Sequence, residues 1–422
     1  MTKNKTQGRR SLKRFAVILS VLAFLGYLIF RLFEPVFVWN SGWQSFSNQD
    51  RTMGEQTAIP ADYADIIFEA NKNLDAAITA NNFPAVSIAF GKGGKLIWAR
   101  AAGFRDLDNK VPATLDTKFR IGSVSKAVTA TTAARLFDEG VLDIDAPIKD
   151  LVPYYPQKDF DITTRQLMTH TAGIRHYGPC LCFPFDEYSN QKHHDSVESA
   201  IGRFSKSPLL FEPGTDFSYS SYGFTLASAA MEGASGQSFD TLIETKLTAP
   251  LGMKNTMREG LAAGDFAVPY AIKDGQYKKA YPVDSSNKTA GGGFLSTPTD
   301  LVLMTQAILM QDYVKPEIRD SLFFTPQKLA SGEVNEQDYA FGWRSHLSTG
   351  TFGEERKIMI SHHGGVAMGG IAFMIMYPEH DMSIAITVNR QMNGVGELVD
   401  LVQAIARDVI LKTDEQLGGV PK

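Results

Sequence analysis

Two apolar, β-branched runs, residues 370–377 and 382–388, are separated only by Pro378, Glu379, His380 and Asp381. Turn-forming residues between two runs of strand length predict a β-hairpin. A second pair of the same kind lies far upstream, at residues 85–90 and 95–99, joined by Gly91, Lys92, Gly93 and Gly94. A phosphate-binding loop would need this cluster to end in Lys-Ser/Thr and open a helix, whereas a strand follows. Between the hairpins, about residues 123 to 251, the pattern is mostly helical, clearest at 127–139. Residues 61–80 put Ile66, Ile67, Leu74 and Ile78 on one helical face, and 396–411 is a last amphipathic segment. Strands at both ends with helices between them predict an α+β fold. One antiparallel sheet is closed by the two ends of the domain and flanked by helices, with an inserted helical lobe over about 123–280. The cleft between sheet and lobe is where chemistry is expected.

Before this domain the chain changes character. Residues 1–14 hold six cations (Lys3, Lys5, Arg9, Arg10, Lys13, Arg14) and no acid, and residues 15–30 are uncharged and apolar. Extended to Phe33 past Arg31, whose stem can snorkel, the run would span about 28 Å as a helix, close to the hydrocarbon thickness of about 30 Å. Bulky residues after it offer no small-residue cleavage site. The expectation is an uncleaved transmembrane signal anchor at 15–33, with 1–14 cytoplasmic and the rest periplasmic or otherwise non-cytosolic. Residues 34–60 read as a linker, 61–412 as the domain and 413–422 as a tail. Net charge is −4, and no cationic stripe with interleaved aromatics occurs beyond the first 14 residues, so nucleic acid is not an expected partner.

Two cysteines, Cys180 and Cys182, cannot form a disulfide framework. Free thiols are expected; a strained i,i+2 bridge and a metal site with His193 and His194 are the other readings, though the spacing fits no common zinc pattern. No metal or organic cofactor is called for.

Three segments carry chemistry. In Ser123-Val124-Ser125-Lys126, a lysine three residues after a serine shares its helical face and can reach its hydroxyl. Serine is a weak nucleophile until a base takes its proton, and lysine serves only if burial or a neighbouring cation holds it neutral. Taken alone the pattern also describes a capped helix with a solvated lysine. In Ser218-Tyr219-Ser220-Ser221, after Pro213-Gly214, a phenol between hydroxyls could relay a proton or simply pack its ring. In His362-His363-Gly364-Gly365, glycines would let an edge strand approach a substrate, with a strand N–H joining that of Ser123 as an oxyanion hole. Adjacent strand residues point to opposite faces, so only one of the two histidines can face the cleft.

Together and in this order the segments resemble the penicillin-recognising serine hydrolases, in particular the class C β-lactamase-like branch with its Ser-x-x-Lys, Tyr-x-Asn and Lys-Thr-Gly or His-x-Gly motifs. Supporting matches are 167–174, 250–253 and 291–300, and the resemblance spans about residues 61–412. Ile174-Arg175-His176-Tyr177 and the hydroxyl at Ser221 are similar to the mitochondrial serine β-lactamase-like members of animals. The resemblance implies Ser123 as acylated nucleophile, Lys126 as its base and Tyr219 as proton relay. It places His362 and Gly364 at the His-x-Gly positions and Gly365 as second oxyanion donor. Ser221 stands where relatives carry a substrate-binding amide, and His362 where many carry a lysine with a fixed charge. The implied activity is hydrolysis of a small ester, peptide or β-lactam-like substrate through an acyl-enzyme, with ester or peptide favoured over efficient β-lactam turnover. A scaffold role, as a homo-oligomer or filament with residual activity, is the alternative.

Overall fold

The computed structural model describes residues 14–30, 33, 41–45, 53–180, 186–261, 264–310, 313–354 and 356–416. The chain packs as two units, residues 1–46 with 273–278, and 47–272 with 279–422. In the smaller unit residues 14–30 are helical, with apolar side chains such as Phe15, Leu19, Leu22 and Phe24 exposed. No helix among the described residues is long and apolar enough to cross a membrane. Gln44–Ser45 pairs antiparallel with Gln276 and Tyr277, and the Lys278 ammonium lies 4.7 Å from the Trp43 ring.

The larger unit is built on one antiparallel sheet. Its strands in chain order are β1 (Gly54–Gln56), β2 (Ala85–Lys92), β3 (Lys95–Asp106), β4 (Val111–Pro112), β5 (Arg344–Ser348), β6 (Ile358–Ala367), β7 (Gly370–Tyr377) and β8 (Met382–Val388). Spatially they run β5-β6-β7-β8-β2-β3-β1, with β4 on β3. The two predicted hairpins are therefore neighbours. Ile386 of β8 sits opposite Ile88 of β2, where the ends of the domain meet. Gly93 and Gly94, at φ +58° and +79°, make the tight β2–β3 turn that side-chain-bearing residues resist. The strand Gly54–Gln56 falls inside the segment read as a linker, yet pairs with Arg100–Ala102 at the sheet edge.

Alternation along the strands sorts side chains to two faces. One face presents Ile88, Phe90, Phe373, Ile375, Ile384 and Ile386 to helices α1 (Ala64–Ala80) and α5 (Gly396–Gln416), which answer with Ile67, Leu74 and Ile78, and with Leu398, Val402, Ile405 and Val409. The other presents smaller groups, Ala89, Ala385 and Ser383, to α4 (Pro298–Leu309), where Thr305 Oγ1 bonds Ser383 Oγ at 2.8 Å. Below that face lies the helical lobe, centred on α2 (Ser125–Asp138) and α3 (Ser221–Ser235). A short three-stranded sheet of Phe119–Arg120, Phe294–Ser296 and Met257–Arg258 flanks it. Helix α2 is buried on nearly all sides and alanine-rich, so neighbours approach its backbone closely. Cys180 is disulfide-bonded, and Cys182 is the chain's only other cysteine, which corrects the expected free thiols.

Candidate active site

Ser123 sits in a single 3-10 turn, Gly122–Val124, that leads into α2. Gly122 has φ +50°, and a Cβ there would lie 2.7–2.8 Å from the N, C and O of Val366, so only glycine lets this turn press against the rim of β6. Lys126, one turn on, is 0% exposed, and its Nζ has three partners: Ser123 Oγ at 3.1 Å, Ser221 Oγ at 2.9 Å and the Gly291 carbonyl at 2.6 Å. Burial, then the charges of Arg344 and Lys288, pushes its pKa well below the usual lysine range.

Tyr219 and Ser221 come from the start of α3. Ser220 caps that helix, its Oγ accepting from Gly223 N at 3.0 Å. Two histidines fix the same turn: His170 Nδ1 accepts from Ser220 N at 3.0 Å, and His176 Nδ1 from Ser221 N at 3.2 Å. Both rings are neutral. Burial, then Lys126, holds His170 well below its ordinary value, and burial with Lys126 and Lys288 brings His176 down to about 4. Burial pushes Tyr219 up to about 12, against its hydrogen bond with Ser123 and the nearby Arg344 charge, so its hydroxyl stays protonated. The Lys126 Nζ lies 4.7 Å from the centre of the Tyr219 ring. Burial pushes the hydroxyl of half-buried Tyr177 well up, with Ser221 opposing the shift. Ser123, Lys126, Tyr219 and Ser221 thus form one connected cluster.

The histidine pair divides as alternation requires, and against expectation. His362 is not brought to the cluster: its ring lies 5.4 Å from that of His346 and 5.6 Å from that of Phe373, on the apolar face of the sheet. Burial, then His346 and Arg344, lowers its pKa to about 3. His363 faces the lobe. Its Nε2 lies 2.9 Å from Tyr339 Oη, and the Tyr339 ring packs 4.5 Å from His170, itself 4.2 Å from Tyr219.

The glycines follow the same parity. A Cβ on Gly365 would lie 1.9 Å from Ile121 O and 2.9 Å from Ser123 N, whereas one on Gly364 would meet only the Val395 side chain, from 3.1 Å. Gly365 is therefore the position where the nucleophile turn demands glycine, which shifts the motif to His363-Gly364-Gly365. Strand β5 pairs with residues 358–362 alone, and among the described residues no strand covers that edge of 363–367. Val366 turns its N–H and C=O to this open edge, where Tyr188 Oη reaches its carbonyl at 3.5 Å. Consecutive residues direct their N–H groups to opposite edges, so the N–H of Gly365 points into the ladder with β7.

Ser123, Tyr219, Ser221, Lys288, Arg344 and Val366 are among the residues around a cavity of about 260 Å³, and among the described residues no aspartate or glutamate lines it. A beta-lactamase family model matches residues 70–406. The chain belongs to the beta-lactamase family. It is 27% identical over 406 residues to the human mitochondrial serine beta-lactamase-like protein LACTB, covering 76% of this chain and 73% of that protein. Penicillin-binding protein 4* of Bacillus subtilis (strain 168) is 25% identical over 319 residues, covering 72% of this chain and 68% of that one. The D-amino acid amidase of Ochrobactrum anthropi SV3, solved with D-phenylalanine, superposes with a TM-score of 0.65 at 21% identity, covering 81% of this chain and 99% of that one. The fold is thus that of beta-lactamases and penicillin-binding proteins, a family of serine hydrolases.

Arg344, Lys288, His176 and Tyr177 border the cluster without having been assigned roles from the sequence. Each lies far along the chain from Ser123. His176 and Tyr177 did stand within the segment that carried the family resemblance.

Proposed function

We propose that the chain is a serine hydrolase that cleaves an ester or amide through an acyl-enzyme on Ser123. The observation that carries this is a fully buried lysine amine 3.1 Å from the serine hydroxyl, with no carboxylate partner among the described residues. As a neutral amine, Lys126 can donate its two N–H groups to Gly291 O and Ser221 Oγ and aim its lone pair at the Ser123 hydroxyl. Lys126 takes that proton as Oγ bonds to the substrate carbonyl carbon. The carbonyl oxygen gains the negative charge and is held by the N–H groups of Ser123 and Val366. When the carbon–oxygen or carbon–nitrogen bond breaks, the Tyr219 hydroxyl protonates the leaving group, and the Lys126 ammonium returns a proton to Tyr219. Water then attacks the ester, gives its proton to Lys126, and Ser123 leaves with a proton restored. Ser221 holds Lys126 in place, and Gly364 borders the cavity.

We further propose that residues 15–33 anchor the protein in a membrane, with the domain on the non-cytosolic side. The support is the apolar run behind six cations and the exposure of its side chains. The scaffold reading gives no reason for an uncompensated amine buried beside a serine, so the hydrolase reading is preferred. Incubation with a fluorophosphonate probe, followed by intact mass measurement, tests it: one adduct on the parent and none on Ser123→Ala is expected. Equal labelling of both would remove Ser123 from the role.

A further inference from the structure

Residues 285–292 contribute to the walls of two polar cavities. Ser285, Lys288 and Gly291 line the one that holds Ser123, whereas Ser286, Thr289 and Ala290 line a second, of about 190 Å³. One face of α3 runs past both: Ser221 borders the first, and Thr225, Ser228 and Glu232, at helical spacing, border the second. Their charges are opposite. The first has Arg120, Lys288 and Arg344 and, among the described residues, no acid. The second has Glu232, Asp240 and the exposed Asp195 against one cation, Arg258, whose Nε already lies 3.1 Å from Asp240. The proposed mechanism uses nothing in this second cavity.

Its wall is rich in acceptors whose neighbours have no proton to give them. Glu232 Oε1 accepts from Phe239 N at 2.8 Å, and among the described residues the carboxylate forms no ion pair. Burial pushes its pKa up, the Phe239 N–H opposes the rise and Asp240 adds to it. Ser228 donates its hydroxyl proton to Thr225 O at 2.8 Å, and Thr225 donates its own to Asn287 O at 3.3 Å, so both oxygens have only lone pairs left to offer. His194, on the same wall, is 4% exposed, and burial, then Arg203, lowers its pKa, so the ring is neutral. Its Nδ1 lies 3.0 Å from Ser199 Oγ, while among the described residues Nε2 has no hydrogen-bond partner. With the ring proton on Nδ1, toward Ser199, Nε2 is one more acceptor. A buried polar atom without a partner is rare and costly, and this one lacks a donor.

Positive charge carrying several N–H donors is what such a wall lacks. We propose that the second cavity binds a small primary ammonium compound, with its –NH3+ group at Glu232 and its N–H donors shared among that carboxylate, the hydroxyls of α3 and His194 Nε2. The site goes beyond the hydrolase reading and does not rest on it. The cationic wall of the first cavity repels the same ligand, so binding reports on the second.

The test is calorimetry of the full chain in detergent with three probes. Ethanolamine should bind saturably. Choline has the charge without N–H donors, ethylene glycol has hydroxyls without charge, and both should bind at least about tenfold more weakly. Glu232→Gln keeps an acceptor for Phe239 N and removes the charge, and should weaken ethanolamine by about tenfold or more with an unchanged circular dichroism spectrum. Ser228→Ala removes one acceptor and should weaken it by about threefold. Absent binding of ethanolamine to the parent, equal binding of choline or ethylene glycol, or unaltered binding by Glu232→Gln overturns the site. Should Glu232→Gln fail to fold, Ser228→Ala decides: weaker binding upholds the site and unaltered binding overturns it.

Discussion

The two faces of the main sheet solve different problems with the same backbone. Toward α1 and α5 the face is aliphatic and aromatic, and the half-buried imidazole that β6 places there, His362, is held neutral by desolvation. Toward the lobe the face sets Ala89, Ala372, Ala385 and Gly365 beside Met374 and Met376, and the space at the small residues admits the nucleophile turn, a lysine whose pKa burial pushes well down and two histidines that burial holds well below their ordinary value. Apolar packing stabilises the first face, so truncation there costs stability. The second buries polar groups that are tied into the site, such as Lys126 Nζ and His170 Nδ1, so truncation there costs chemistry. Neighbouring residues on β6 belong to opposite regimes, and substitution can separate them.

The largest expected effect is on the nucleophile. Ser123→Ala should lower turnover of a 4-nitrophenyl ester by about 10⁴-fold or more with little change in thermal stability. A residual rate near the parent's would mean that ester cleavage happens elsewhere. Lys126→Met comes next, with a loss of about 10³-fold. It should also remove the acid limb of the pH profile. Only the neutral amine accepts a proton, so parent activity should fall as the pH drops through the depressed lysine pKa and level off above it. An unchanged acid limb in Lys126→Met would assign it to another group.

Gly365→Ala and Gly364→Ala form a sharper pair. The first puts a methyl group against Ile121 O and Ser123 N and should cost about 10²-fold in kcat, since a displacement of about 1 Å at the reacting atoms has that order of effect. The second meets a side chain that can shift and should cost far less. Equal losses would mean that the His362-Gly364 register is the working one after all.

What was legible in the sequence follows the range of the interactions involved. Strands 370–377 and 382–388 coincide with the observed ones because apolar, β-branched runs and turn chemistry are local signals. The Ser123–Lys126 contact was equally local, a consequence of helical spacing. The edge strand 54–56 was not legible: Gly-Glu-Gln has no apolar pattern, is exposed, and is a strand only because β3 offers it an edge. Nor could the sequence say which of His362 and His363 faces the lobe. That parity is set by partners far away, with His362 opposite Arg344 on one side and Ile375 on the other. Arg344 and Lys288 reach the cluster by the same kind of long-range pairing.

The smallest effect on turnover, and the most direct test of the two-face comparison, concerns that histidine pair. His363 touches no reacting atom, but through Tyr339 and His170 it backs the ring of Tyr219. His363→Ala should lower kcat by about tenfold and leave KM nearly unchanged, because the proton relay loses its support while the cavity wall stays intact. His362→Ala removes a ring packed against His346 and Phe373, so it should lower stability by about 1–3 kcal/mol and leave turnover within about twofold. Urea denaturation and steady-state kinetics on the two variants read both quantities. If His362→Ala proved the slower enzyme and His363→Ala the less stable fold, the parity of β6 assigned here would be reversed, and with it the choice of Val366 over Gly365 as the second oxyanion donor.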